Sequence, residues 1–317
     1  MTPADWLLDS DPALRWQAMT ALADSSDAEI ASERAKMAKT GWTATLLDNQ
    51  DDDGVWRTPG YEIESGAWTG SSAWTTMHVL QVLRDFGVDA ADARVSSAVS
   101  RLANSTNFPT SMPSFMPWAG RGFFEGETEP CINGRVVASG AYFGQDVQSV
   151  VDRLLGEQMA DGGWNCEAEN GSVRGSFGTS INVLEGLMEL DRVGRGTPAT
   201  QAARKRGEEY LLERGLMRRL STGDEIEPKF SLFKFPYAWR YDILRGLDYF
   251  RAGGSARDPR MDEALALVAS KRGEDGKWRL QDPHAEEWVI DMSEEENEPS
   301  RWITLHAKRV LRYFKAE

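Results

Sequence analysis

Four arginines stand out by their neighbours: Arg15 before Trp16, Arg135 four residues after Cys131, Arg240 between Trp239 and Tyr241, and Arg301 before Trp302. A guanidinium offers planar paired donors to a carboxylate or phosphate, and an indole offers an apolar wall that also stabilises a cation. The combination suits a ligand with an acidic head and an apolar body. Trp74, Phe177, Tyr237 and Tyr241 complete the candidate substrate-binding set, with aromatic packing as the alternative reading of each.

Chemistry on such a ligand that begins by protonating an alkene needs a carboxyl whose pKa burial raises. Asp242 and Glu129, set among aromatic residues, are the candidate acids, and Cys131 is a candidate nucleophile if a base stands beside it. Each arginine also has an acid close by in sequence (Asp11, Glu129, Asp242, Glu298), so structural ion pairs compete with an anion site. His78 and His306, on apolar stretches, read as core histidines.

The elements that must hold these groups are legible in a repeat. Asp53-Gly54-Val55-Trp56, Asp161-Gly162-Gly163-Trp164 and Asp275-Gly276-Lys277-Trp278 share one pattern, with the tryptophans 108 and 114 residues apart. Gln50 and Gln158 precede the first two tryptophans by six residues, and Arg272 holds that place in the third. After each loop an apolar helix is expected, at Ser71–Phe86, Ser176–Leu190 and Ser300–Phe314. Three more of the same kind are expected at Asp11–Ala23, Cys131–Phe143 and Tyr237–Phe250.

Amphipathic helices alternate with them at Ser32–Leu47, Ala93–Ala103, Val147–Gln158, Ala202–Leu212 and Asp262–Ala269. Six helices wet on no side and five wet on one describe an inner and an outer ring. Proline and glycine fall between the helices, as at Thr110–Gly126 and Gly253–Arg257, and strand signals are scarce. One all-α domain over 1–317 is expected.

The Gln-x-x-Asp-Gly-x-Trp loops resemble the QW repeat of squalene and terpene cyclases and of the related β-subunits of protein prenyltransferases. The resemblance implies an α/α toroid of the α6/α6 type, with Gln50, Trp56, Gln158 and Trp164 tying a helix end to its neighbour. In such a toroid the inner helices point one way. Their N-termini, each carrying unpaired N–H groups and about half a positive charge, then gather round one mouth. Four of the six expected inner helices carry an early arginine there. The departures matter too. This chain is about half the length usual for squalene cyclases, and it lacks their protonating Asp-x-Asp-Asp motif and the Asp-Asp-x-x-Asp motif of magnesium-dependent cyclases. Asp51-Asp52-Asp53 reads as turn chemistry.

The function implied is terpene-cyclase-like: an isomerase or lyase that cyclises or isomerises an isoprenoid or similar apolar acid by acid initiation, without a redox cofactor. Zinc-assisted prenyl transfer is the alternative enzyme, because Glu129-Pro130-Cys131 imitates the Asp-x-Cys half of the prenyltransferase zinc site; with His78, His284 and His306 as the histidines available, no metal site is assigned. A non-catalytic toroid binding an acidic lipid or peptide is the third reading, and helical toroids of polysaccharide lyases carry similar loops.

Composition bounds the partners. With 36 Lys+Arg against 50 Asp+Glu the net charge is −14, which opposes general nucleic-acid binding. Hydrophobic residues at 41% and charged residues at 27% are globular proportions. No apolar run reaches the ~18 residues of a membrane span, and Met1–Asp11 has neither the basic nor the apolar region of a leader, so a cytoplasmic location is expected. The two cysteines, Cys131 and Cys166, make no disulfide scaffold and are expected as free thiols, Cys166 with Glu167 belonging to a repeat loop.

Overall fold

The computed structural model describes residues 2–57, 72–104, 121–283 and 290–316. His284 and Ser71 lie outside them, as does all of the Thr110–Gly126 loop before residue 121. The described chain is all-α, with only isolated β-bridges besides its helices. In order the helices are α1 (Pro3–Leu8), α2 (Pro12–Leu22), α3 (Asp27–Arg34), α4 (Gly41–Asp48), α5 (Ser72–Phe86), α6 (Ala93–Asn104), α7 (Pro130–Tyr142), α8 (Gln148–Gly156), α9 (Phe177–Arg192), α10 (Pro198–Glu213), α11 (Ile243–Ala252), α12 (Asp262–Ser270) and α13 (Arg301–Phe314).

They group into two compact units. One comprises Met1–Arg34, Glu208–Ala285 and Asp291–Glu317; the other Ala35–Gly207 and Glu286–Ile290. In the second unit α9 is buried on every side from Thr179 to Leu190, charged Glu185 and Glu189 included, whereas α8 buries only Val150, Val151 and Leu154. In the first unit α13 is buried from Trp302 to Ala307, and α12 buries a single stripe of Ala264, Leu265 and Val268. The second unit thus sets a wholly buried helix against a half-wet one, as the hydrophobic periodicity predicts, whereas in the first unit α2, expected as an inner helix, buries only Ala13, Leu14, Gln17 and Ala18.

The three repeat loops are built alike. The indole N–H of Trp56, Trp164 and Trp278 donates to the carbonyl ten residues earlier, of Leu46, Leu154 and Val268, at 2.6–2.7 Å. Each tryptophan's backbone N–H donates at 2.9–3.0 Å to a hydroxyl on the helix that follows: Thr76, Ser180 and Thr304. Gln50 and Gln158 clamp the loops, donating both to Gly54 and Gly162 within the loop and to Ala98 and Ala203 on the next half-wet helix. In the third loop Arg272 lays its guanidinium 5.9 Å from the ring centre of Trp278 instead. Gly162 has φ +88°, and a Cβ there would meet the Arg206 carbonyl oxygen at 2.5 Å, so both its conformation and its neighbour require glycine.

Two helices depart from the sequence reading. Ser32–Leu47 is not one helix: α3 ends at Arg34, a turn follows, and α4 starts at Gly41, whose φ of +76° does not fit the interior of a continuous right-handed helix. Tyr237–Phe250 begins as loop, with Ala238 at φ +47°, and becomes helical at Ile243 because Asp242 caps it.

Candidate functional site

The chemistry-bearing residues form one cluster in each unit. In the Ala35–Gly207 unit α7 and α9 pack in backbone contact: a Cβ on Gly134 would stand 2.5 Å from the Asn182 carbonyl carbon, and one on Gly186 would stand 2.5 Å from the Gly134 oxygen. This approach brings the first turn of α7 to the loop that leads from Trp164 into α9. The turn before α7 is fixed by Asn133, which donates to the Glu127 carbonyl and accepts its N–H, and by Arg153, which donates to the carbonyls of Glu127 and Thr128. Burial pushes the Glu127 carboxyl up to about 7, against the hydrogen bonds it accepts from the N–H groups of Thr128 and Glu129.

Glu129 therefore stands at the start of α7 with Cys131, whose Sγ lies 3.5 Å from its Oε2. Cys166 opens the short helical turn Cys166–Ala168, held by Asn165 capping the Glu167 N–H, and its Sγ lies 2.9 Å from that of Cys131 and 3.4 Å from the Thr179 hydroxyl. The ligand atoms of Glu129, Cys131 and Cys166 all lie within 4.8 Å of one another. Contact with Cys166, burial and the Glu129 carboxylate push the Cys131 thiol up, whereas the Cys131 contact lowers Cys166 against burial, helped by Thr179. The other candidates of this unit have contacts of their own. Arg135, wholly buried, donates from Nε to Gln81 at 2.7 Å; Trp74 lies 5.9 Å from the His78 ring; Phe177 is buried in the first turn of α9.

In the other unit the segment before α11 carries Phe235, Tyr237, Tyr241 and Asp242. Phe235 stacks on Trp302 with centroids 4.4 Å apart, and the Tyr237 hydroxyl meets His306 Nδ1 at 2.6 Å beneath the Arg245 guanidinium. Burial lowers His306 well below its ordinary value and raises Tyr237 well above its own, so a neutral hydroxyl and a neutral imidazole share this hydrogen bond. His306 is thus the hydrogen-bonded core histidine that its apolar helix predicts. Asp242 is completely buried, accepting the Arg245 N–H at 2.8 Å and the Lys234 N–H at 3.2 Å. Burial pushes it up to about 6, against Lys234 and Arg245. Deeper on α11, burial works against the charge of Asp248, but Arg309 and then Arg251 outweigh it and hold this carboxyl well below the usual range.

The candidate arginines of this unit, Arg15, Arg240 and Arg301, find carboxylate or carbonyl partners other than the acids nearest them in sequence. Arg15 pairs with Glu33 at 2.8 Å and donates to the Leu8 and Ser10 carbonyls, while Asp11 caps α2. The neighbouring Trp16 carries Arg34 over its ring at 5.2 Å. Arg301 donates to the carbonyls of Trp6 and Asp9 and lies over the Trp6 ring, and Glu298 faces Arg279. Arg240 is held more lightly, 3.5 Å from Asp282 and over the Trp239 ring, whereas Tyr241 is committed through its hydroxyl to the Leu216 carbonyl.

Sequence reasoning missed Cys166 as the partner of Cys131, and it missed Glu127, Lys234 and Asp248. The available signal for Cys166 was its place in the loop feeding one buried helix, where a neighbouring buried helix begins with the other cysteine.

No protein-family model matches this sequence, and no curated protein matches it. Among solved structures the chain is similar to the type II terpene cyclase MstE from Scytonema. The apo enzyme has 16% identity over 97% of this chain and 88% of that one, with a TM-score of 0.44. An arginine-to-alanine variant of the same cyclase, in complex with geranylgeranyl dihydroxybenzoate as substrate, has 14% identity over 96% and 86%, with the same score. A protein from Actinoplanes has 15% identity over 97% and 90%, with a TM-score of 0.43.

Proposed function

We propose that this chain is a terpene-cyclase-like enzyme that takes an isoprenoid or similar apolar substrate with an acidic head and begins its isomerisation or cyclisation by protonating an alkene. The observation carrying this reading is Asp242: a completely buried carboxyl, pushed up to about 6, that follows Tyr241 in the chain and caps α11. A carboxyl with a value of about 6 carries its proton in roughly a tenth of molecules at pH 7, and that proton is the one proposed to move. Its proton goes to the alkene carbon, and the adjacent carbon becomes cationic. Loss of a proton from the cation to the carboxylate closes the cycle. Arg240, held 3.5 Å from Asp282 and over the Trp239 ring, is the group proposed to meet the acidic head.

The test compares Asp242→Asn and Arg240→Ala for binding and turnover of a prenylated aromatic acid. The reading expects the first to keep binding and lose turnover, and the second to lose binding. Equal turnover by Asp242→Asn refutes it, and binding without turnover in the parent protein favours a carrier.

Glu129, Cys131 and Cys166 support a second reading, zinc-assisted prenyl transfer. Two thiolates and a carboxylate match a catalytic zinc site, which takes three protein ligands and leaves a position open. The metal would lower the pKa of a thiol or hydroxyl acceptor. Metal analysis of the purified protein tests it: zinc well below one per chain removes this option.

A further inference from the structure

The chain has two cysteines, and the fold brings both to one point although they belong to different elements. Carbon atoms in good contact sit about 3.5–4.0 Å apart, and sulfur is larger than carbon. A 2.9 Å separation between Cys131 and Cys166 is therefore well inside packing distance, and a further approach of about 0.9 Å reaches the ~2.05 Å of a disulfide.

The surroundings suit that step. Both thiols are half-buried rather than sealed. Cys166 begins a short turn in a loop, the type of element that can move by such an amount. The ties of Asn165 to Ser172 and the Arg174 carbonyl and of Gly175 to Asp161 run within the loop, and the sulfur's contact with the Thr179 hydroxyl of α9 is 3.4 Å long, so the sulfur can advance while the loop's ties stay intact. Glu129 Oε2, 3.5 Å from Cys131 Sγ, is placed to take that thiol's proton.

We propose that Cys131 and Cys166 are a thiol–disulfide pair, a reversible cross-link that joins the first turn of α7 to the loop following Trp164. With a small-molecule disulfide such as oxidised glutathione as the oxidant, the Cys166 thiolate attacks one of its sulfurs and expels a thiolate. Cys131, its proton passed to Glu129, then attacks the Cys166 sulfur of the mixed disulfide and expels the second. The protein loses two hydrogens and the oxidant becomes two thiols, so the exchange balances. Closure ties the Cys166 loop to α7 and removes both sulfurs from any part in metal binding or nucleophilic attack. The inference goes beyond both functional readings and stands whichever of them fails.

The test equilibrates the purified chain with oxidised glutathione or with dithiothreitol, then counts titratable thiols, maps peptides and records the thermal midpoint. Both thiols are expected to disappear together, in one peptide pair joining Cys131 to Cys166, with the midpoint raised by several degrees and all changes reversed by dithiothreitol. Cys166→Ser is expected to lose the cross-link and the rise in midpoint. The proposal is overturned if both thiols stay titratable under oxidised glutathione, if glutathione adducts form at the two cysteines separately, if the cross-link joins two chains, or if Cys166→Ser shows the same rise.

Discussion

Placing a methyl group between α7 and α9 is the sharpest perturbation of what holds Cys131 beside Cys166. In Gly134→Ala the new Cβ would stand 2.5 Å from Asn182 C and Val183 N and 2.6 Å from Asn182 O, where ordinary contact begins at 3.4 Å. The helices must separate by about 0.9 Å, because the obstruction is backbone and has no rotamer to change. Overpacking costs about 1–3 kcal/mol, and backbone against backbone belongs at or above the top of that range. Alanine returns about 1 kcal/mol through its helix propensity, leaving a net loss of about 2 kcal/mol or more. Urea unfolding measures it, with Gly156→Ala as the control: its Cβ meets nothing within 4 Å, so that variant is expected to gain up to about 1 kcal/mol. Separation of the helices also carries Cys131 away from Cys166, so Gly134→Ala is expected to slow disulfide closure. A Gly134→Ala protein within about 0.5 kcal/mol of the parent would refute the reasoning.

Other expectations follow from the same contacts. Ser180→Ala and Thr304→Ala each leave a buried tryptophan N–H without its acceptor and should cost about 1–3 kcal/mol in denaturant unfolding, whereas Thr304→Ser, which keeps the hydroxyl, should cost less than about 1. Asp248→Asn takes the carboxylate from the half-buried guanidinium groups of Arg309 and Arg251 and should cost about 1–3 kcal/mol at neutral pH, less than a fully buried pair. Because Asp248 is held below the usual carboxylate range, its contribution is present above that range and lost as pH falls through it; an unchanged acid limb in the variant contradicts this. Asp242 has the opposite sign: its raised value contributes stability that is complete below 3.8 and lost as pH rises through about 6. Asp242→Asn should therefore flatten the stability profile over that window by about 2 kcal/mol, and a profile of unchanged slope rules the assignment out.

Much of the architecture is written locally. Asp-Gly-x-Trp specifies its own loop, since the aspartate side chains of Asp53, Asp161 and Asp275 accept the N–H two residues on and the glycine takes a positive φ. The periodicity of Ile181, Leu184 and Leu187 against that of Val150, Val151 and Leu154 likewise separates a fully buried helix from a half-wet one. Helix ends were less legible, because the apolar stripe runs through Ser32–Leu47 whether or not Gly41 breaks it, and the aromatic run Tyr237–Tyr241 looks like the helix it precedes. The clusters were legible only in part. Cys131 and Glu129 announce themselves, but Cys166 reaches them through the close approach at Gly134 and Gly186, which no local pattern encodes. The arginines show the same limit: Arg15 chooses Glu33 over Asp11, and Asp282 rather than Asp242 faces Arg240, because tertiary reach decides the partner.

The proton transfer proposed for Asp242 can be tested in deuterium oxide. The parent protein, incubated with a prenylated aromatic acid, should release a cyclised or isomerised product carrying one deuterium at the carbon that received the proton, and Asp242→Asn should release none while binding the same acid. A product free of deuterium, or equal labelling by Asp242→Asn, would contradict the account.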